Sequence, residues 1–319
     1  MITISVVICT YNRAALLTDA LETLCNQTLS TSKYEVIVVD NNSTDNTRQV
    51  VSKFRHSLTN LRYCFEPNQG LSHARNRGWR VAKGDYVAYT DDDCKLPEQW
   101  LEVAKKVIEQ ISADVFGGPY FAFYNTPKPI WFKDSYASRD HGKESRVLGT
   151  DEYLDGTNIF FRRSLLKEMG GFNPDLGMSG QMISYGEETA LLRQIRRKMP
   201  HQIIYYDPHL YVYHLVMAEK MSIARNVRQR LAGGRSAYKT FIDDTERHQT
   251  NKALMFFLAK ILLFFFDSTL GAVFRNYTKY PYFRNYLYER AFRHLISIGF
   301  FFEHLRFSWY CRTTSNKRC

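Results

Sequence analysis

Along the first 90 residues, short continuous apolar runs alternate with stripes of apolar residues at helical spacing. Ile2 to Cys9 is a β-branched run, after which Leu16, Leu17, Ala20, Leu21 and Leu24 recur as one face of a helix. Tyr34 to Val39 is a second run of buried-strand type, followed by Ser43 and Thr44, either of which can cap the next helix. Leu61 to Phe65 and Tyr86 to Tyr89 read as two more strands, with a helix from about Leu71 to Ala82 between them. Near-continuous apolar strands alternating with helices predict an α/β fold, a mostly parallel sheet flanked by helices on both faces. Ligands of such sheets bind beyond the carboxyl ends of the strands. Four polar loops fall at those ends: Thr10 to Arg13, Asp40, Asn68 to Gly70, and Asp91 to Asp93.

The regular alternation stops after a helix spanning Pro97 to Ile111. Asp114 to Phe123 reads as a strand interrupted by Gly117-Gly118-Pro119, and Asn125 to Gly149 is a long polar-aromatic loop, either a lid or an insertion. An amphipathic helix opens at Glu187 and runs through Arg197, and a β pair over Ile203 to Tyr206 and Leu210 to Tyr213 leads to His214. Beyond that, Ser222 to Phe241 has helical spacing broken by Gly233-Gly234. Ala253 to Phe266 is intensely apolar, and Arg290 to Trp309 repeats the theme.

Charge separates the two parts. Residues 1–215 hold 25 Lys and Arg against 25 Asp and Glu, whereas residues 216–319 hold 18 against 7, which is the chain's whole net charge of +11. The same tail carries 21 of the 47 aromatic residues, a basic and aromatic composition suited to an anionic membrane surface, and its long apolar runs argue against nucleic acid. The 14-residue run from Ala253 to Phe266 is short for a membrane span, so an interfacial helix is expected, with packing on the preceding domain or in a homo-oligomer as the alternative. Six cysteines at irregular spacing, with no C-x-x-C pair and no leader before the first strand, predict a reduced, cytoplasmic chain, peripheral at the inner face of the membrane.

Three adjacent carboxylates after a buried strand repel one another unless a cation shares the site, and hard divalent ions such as Mn²⁺ or Mg²⁺ prefer such oxygens. A solvated acidic turn before the helix at Pro97 is the competing reading, as helix-dipole stabilisation is for Glu187 and Glu188. The ordered motifs VVICTYNR, VVDNNSTDNT, NQGLSHARNRG, YTDDDC, DGTNIFFRR, GGF and GEET decide between them. Over Ile4 to His214 the chain resembles the inverting family 2 glycosyltransferases, which have the GT-A (Rossmann-like) fold.

The resemblance implies a catalytic domain over 1–215, with a nucleotide-sugar half to about residue 113 and an acceptor half from 114, followed by a helical extension over 216–319. It also implies a metal-dependent transfer from a nucleotide-diphosphate sugar, with a UDP-sugar favoured, to a glycan or lipid-linked acceptor. Thr10, Tyr11, Arg13, Asp40, Asn68, Arg75, Asp91 and Asp92 are then expected at the donor nucleotide, and Gly156 and Asn158 at the acceptor. Asp93 becomes the metal ligand, with Asp91 and His214 beside it. Glu188 takes the position of the catalytic base and Glu187 accompanies it, although the family more often has Asp at the second place. That departure leaves open a catalytically silent nucleotide-sugar-binding or scaffold protein. A nucleotidyltransferase is less well matched, because the Cys9 to Arg13 loop has no glycine to cradle a triphosphate.

Overall fold

A computed structural model describes residues 1–180, 182–241 and 250–313. The chain divides into two compact units. The first comprises Met1–Asn125, Asp134–Gln181 and Glu187–Val216, and the second comprises Thr126–Lys133, Met182–Gly186 and Met217–Cys319.

The first unit begins with β1 (Ile4–Thr10), α1 (Ala14–Cys25), β2 (Tyr34–Asp40), α2 (Thr47–Phe54), β3 (Leu61–Phe65), α3 (Leu71–Val81) and β4 (Tyr86–Asp91). It continues through β5 (Cys94–Lys95), α4 (Trp100–Gln110), β6 (Val115–Gly117), β7 (Tyr120–Phe123), β8 (Arg146–Val147), β9 (Asn158–Arg162), α5 (Arg163–Met169), α6 (Glu187–Lys198), β10 (Ile204–Tyr206) and β11 (Val212–Leu215). Eight strands form one sheet in the order β3-β2-β1-β4-β9-β6-β10-β8. Strands β1 to β4 are parallel, as the near-complete burial of β1, β2 and β4 leads one to expect, and β9 enters antiparallel between β4 and β6. Alternate side chains of each strand feed two cores. Val6 and Ile8 pack with α1 and α4 on one face, while Val7 packs with Ala74 of α3 and Leu192 of α6 on the other.

Three local expectations are corrected. The segments at 203–206 and 210–213 do not pair with each other: β10 lies beside β6 in the large sheet, and β11 lies between β5 and β7 in a separate three-stranded sheet. The Gly117-Gly118-Pro119 interruption is where the chain crosses between those sheets, and Gly118 passes so close under Leu210 that no side chain would fit. Neither Ser43 nor Thr44 caps α2. Asp45 does so from one side, accepting from Thr47 N at 3.0 Å, while its other oxygen accepts from Ala14 N at the start of α1, 2.9 Å.

In the second unit, α7 (Ile223–Phe241), α8 (Thr250–Phe274), α9 (Phe283–Tyr286), a π-helical turn (Leu287–Ala291) and α10 (Arg293–Thr313) follow one another. Gly233-Gly234 does not interrupt α7. A Cβ on Gly234 would overlap the main chain of α10 at Ile296, so the glycine allows two helices to approach closely. Helix α8 extends well past the 14-residue apolar run. Among the described residues, its Lys252–Phe274 stretch is long and apolar enough by length and composition to cross a membrane.

Candidate active site

The rim of the first unit is assembled from strand ends. Thr10, the last residue of β1, donates its hydroxyl to Asp92 Oδ2 at 2.7 Å. Arg13, one turn on, reaches Asp92 Oδ1 at 3.0 Å and Asp93 Oδ2 at 3.3 Å. Asp92 is therefore turned inward, tying the first loop to the acidic triplet, instead of facing a nucleotide as the motif had suggested. Burial pushes its carboxyl up to about 6 against the pull of Arg13. Tyr11 sits half-buried between these anchors.

The first and second loops are stitched together by Asn12. Its side-chain oxygen accepts from Thr44 N at 2.7 Å and its backbone N–H donates to Ser43 Oγ at 2.9 Å. Asn12 and Asn42 both have positive φ, which Asn tolerates better than most residues, and this lets the two loops turn sharply at the rim. Asp40 is buried at the end of β2 and accepts from Ser43 N and from the Tyr63 hydroxyl, each at 2.8 Å. Neighbouring Asn41, which sequence reasoning passed over, is the hub of the third loop. It donates to the Asn68 carbonyl at 2.6 Å and accepts from Gly70 N at 2.7 Å. Asn68 itself is exposed, with its backbone N–H held by Glu66 Oε1.

Asp91 and Asp93 lie on the other side of Asp92. Thr157 donates to Asp91 Oδ2 at 2.8 Å, and His214 Nε2 lies 3.3 Å from Asp93 Oδ1, its ring edge-on to Tyr120. Ligand atoms of Asp91, Asp93 and Cys94 all fall within 4.8 Å of one another. The Cys94 thiol is pushed well above its ordinary range by burial, with Asp91 and Asp93 adding to the shift, so it is a protonated and soft partner. The two carboxylates are the ligands that suit a hard divalent cation.

Arg75 is placed differently from expectation. It is buried on α3, over the rings of Tyr89 and Phe172, and its guanidinium meets Glu187 Oε1 at 2.7 Å and Glu188 Oε2 at 3.7 Å. Its guanidinium therefore serves the acids opening α6, and the motif position alone did not reveal this. Gly156 makes room for it: a Cβ there would overlap Arg75 Nη2. Gly156 N also donates to Glu188 Oε1, at 3.4 Å. Asn158, expected at the acceptor, is fully committed inside the fold. It accepts from Trp100 Nε1 at 3.0 Å and donates to the carbonyls of Leu210 (2.5 Å) and Pro119 (3.3 Å), pinning β9 to the turn before β11.

One cation thus faces two carboxyls. Burial and the charge of Glu188 push Glu187 up to about 8 against Arg75, which favours a proton on Glu187. Glu188 is the more exposed of the two, and its Oε2 accepts no hydrogen bond among the described residues. Asp155, a further acid missed in the sequence, is pushed up to about 6 by burial, with Arg139 at 3.2 Å opposing and the charges of Glu188 and Asp91 adding to the rise. It feels both carboxylate groups at once.

Residues 5–170 match the family model for glycosyl transferase family 2, just over half of the chain. The chain belongs to that family. Glycosyltransferase AglE of Haloferax volcanii is 32% identical over 181 residues, 56% of this chain and 59% of AglE. Among solved structures, the mannosyltransferase PcManGT from Pyrobaculum calidifontis, in complex with GDP-Man and Mn²⁺, aligns with a TM-score of 0.56 at 23% identity, covering 75% of this chain and 64% of that one. Residues 1–349 of Staphylococcus aureus TarS in complex with UDP align with the same TM-score at 18% identity, covering all of this chain and 93% of that one. At such identities the two structures speak for the fold, and the fold is GT-A.

Proposed function

We propose that this family 2 member transfers a sugar from a nucleotide-diphosphate sugar, a UDP-sugar in particular, to an acceptor hydroxyl, with inversion at the anomeric carbon. The observation that carries the reading is the split between Glu187 and Glu188. Two adjacent carboxyls share Arg75, the more buried one favours its proton, and the other, the more exposed side chain, has an oxygen that accepts no hydrogen bond among the described residues. Glu188 takes the proton of the acceptor hydroxyl, the freed oxygen attacks the anomeric carbon, and the bond to the phosphate oxygen breaks from the opposite side with its electron pair. Arg75 and Glu187 hold Glu188 in place for that transfer, and Gly156 N steadies its second oxygen.

At the donor end, Thr10, Tyr11 and Asp40 border the base and ribose. Asp40 has lone pairs beyond those used by Ser43 and Tyr63 and can accept the N–H of a uracil. Asp93 and Asp91 would hold Mn²⁺ or Mg²⁺, with His214 beside them, and the ion would supply neutralisation of the departing diphosphate. Arg13 balances Asp92 and Asp93 from the other flank. PcManGT with GDP-Man and Mn²⁺ and TarS with UDP support donors of this class.

Residues 217–319, with their basic and aromatic composition, bring the protein to the inner, anionic face of a membrane, which suits a lipid-linked or surface-glycan acceptor. The test is a thermal shift with UDP, GDP and ADP, each with and without Mn²⁺, followed by nucleotide release from the matching sugar donors in a lipid extract. A metal-dependent shift and release are expected. If no nucleotide diphosphate raises the melting temperature with Mn²⁺ present, the donor site is wrong.

A further inference from the structure

The second unit is built with its apolar surface outward. Only 6% of the most apolar 18-residue window within Lys252–Phe274 is buried, and Leu254, Leu262, Phe265, Val273 and Phe274 stand exposed along the stretch. A surface of that extent needs a cover. By length alone a span is possible: 23 residues rise about 34 Å, enough for a hydrocarbon core of about 30 Å.

The packing of the neighbouring helices decides otherwise. α10 lies alongside α7 in the same direction, with Gly299 against Leu231 and Tyr238 against Phe300, His304 and Phe307. It runs antiparallel to α8, stacking Phe301 on Phe256 near one end and pairing His294 with Asp267 nearer the other. The three axes are therefore roughly aligned, and a bilayer normal along α8 would also run along α7. α7 carries Arg225, Arg228, Arg230, Arg235 and Lys239. At mid-bilayer each would cost about 2.5–3.5 kcal/mol.

Within the second unit α7 is also packed against short segments from elsewhere in the chain. It follows Val216 closely, and its last turns meet Tyr185, which donates to Ser236 Oγ at 2.9 Å just before Glu187. The stretch after α8 is tied to another segment of the same unit: Asn285 donates to the Trp131 carbonyl, and Lys133 pairs with Glu289 at 2.6 Å.

We infer that α8 lies in the plane of an anionic lipid leaflet, as a monotopic anchor that does not span it. Asp267, the acid within the apolar stretch, is drawn inward by His294 Nε2 at 2.9 Å and Arg293 Nη2 at 3.4 Å. The helix leads into Arg275, Tyr277, Lys279, Tyr282 and Arg284, side chains suited to the headgroup layer. Lys260, half-buried, can extend its amine to the same layer. The inference deepens the membrane contact proposed above and does not depend on the transfer reaction.

Its test is flotation of the full chain with phosphatidylglycerol/phosphatidylcholine vesicles, comparing Leu254→Glu, Leu262→Glu and Val273→Glu. All three positions are exposed, so folding is retained, which the melting temperature in detergent checks. An in-plane helix predicts that each substitution weakens vesicle association by a similar factor, about tenfold or more. A loss concentrated at Leu262, with the two ends little affected, is the profile of a span and overturns the inference. Wild-type protein that fails to float overturns both the membrane contact and the in-plane anchor. A dimer by light scattering that these substitutions dissolve, with no vesicle association, identifies a second copy as the cover and overturns it as well.

Discussion

The two units handle polarity in opposite ways. In the first, the strands are largely apolar and most of the buried carboxylates and the buried arginine are gathered there: Arg75 against Glu187, Asp92 and Asp93 against a half-buried Arg13, and Glu35 against a half-buried Arg62, beside neutral groups such as Asn41 and Asn158. Few large apolar side chains reach its surface, Phe65, Val147 and Tyr213 among them. In the second, most buried polar groups are neutral amides, hydroxyls and imidazoles, such as Asn226, Ser236, Asn285, His294 and His304, while the apolar residues of α8 point outward. The first unit spends its buried charge on a site that must handle charged chemistry in water. The second has the surface of a protein meant to be covered.

The contrast predicts where removing one polar side chain hurts most. Arg75→Met strands two carboxyls, one of them buried, and is expected to lower the stability of the first unit by about 3–5 kcal/mol in urea denaturation. A loss under 1 kcal/mol would mean that the pair is not what holds α3 to α6. Gly156→Ala drives a methyl into the same guanidinium, and the expected cost is about 1–3 kcal/mol with transfer activity reduced alongside. In the second unit, Asn226 donates to the carbonyls of Lys220 and Ser222 at 3.0 and 2.8 Å without any charge, so Asn226→Ala is expected to cost about 1–2 kcal/mol. A larger loss there than at Arg75 would reverse the comparison.

A smaller effect concerns pH. Asp155 holds its proton in the folded state up to about 6, whereas the unfolded chain releases it near its ordinary value of 3.8. Between those two values the folded protein binds more protons, so stability falls as pH rises from about 4 to 6. Asp155→Asn is expected to make that decline shallower by about 1–2 kcal/mol, read from melts at pH 4 and 6.5. An unchanged slope would show that Asp155 titrates like a solvated carboxyl.

Much of this was legible in the chain because strand-end loops announce themselves through apolar runs that stop at Asp and Asn. β1, β2, β3 and β4 end where the periodicity placed the polar rim, within a residue or two. What the pattern could not show is which way a polar side chain faces once two elements meet. Arg75 reads like any helix arginine until Gly156, far along the chain, proves to lie directly over it. Asn158 and Asp155 exchange the importance assigned to them for a similar reason: the turn at 207–210 captures the asparagine, and burial between two acidic groups singles out the aspartate. The partners of β10 and β11 were hidden because short strands carry too little periodicity to say which sheet they join.

The account turns on Glu188 as the group that takes the acceptor's proton, and one comparison reaches it directly. Glu188→Gln removes the base but keeps the size of the side chain, so donor binding by calorimetry should stay within about threefold of wild type while kcat falls by about 10²–10⁴. Turnover equal to wild type with donor binding intact would contradict the account and remove Glu188 from the chemistry.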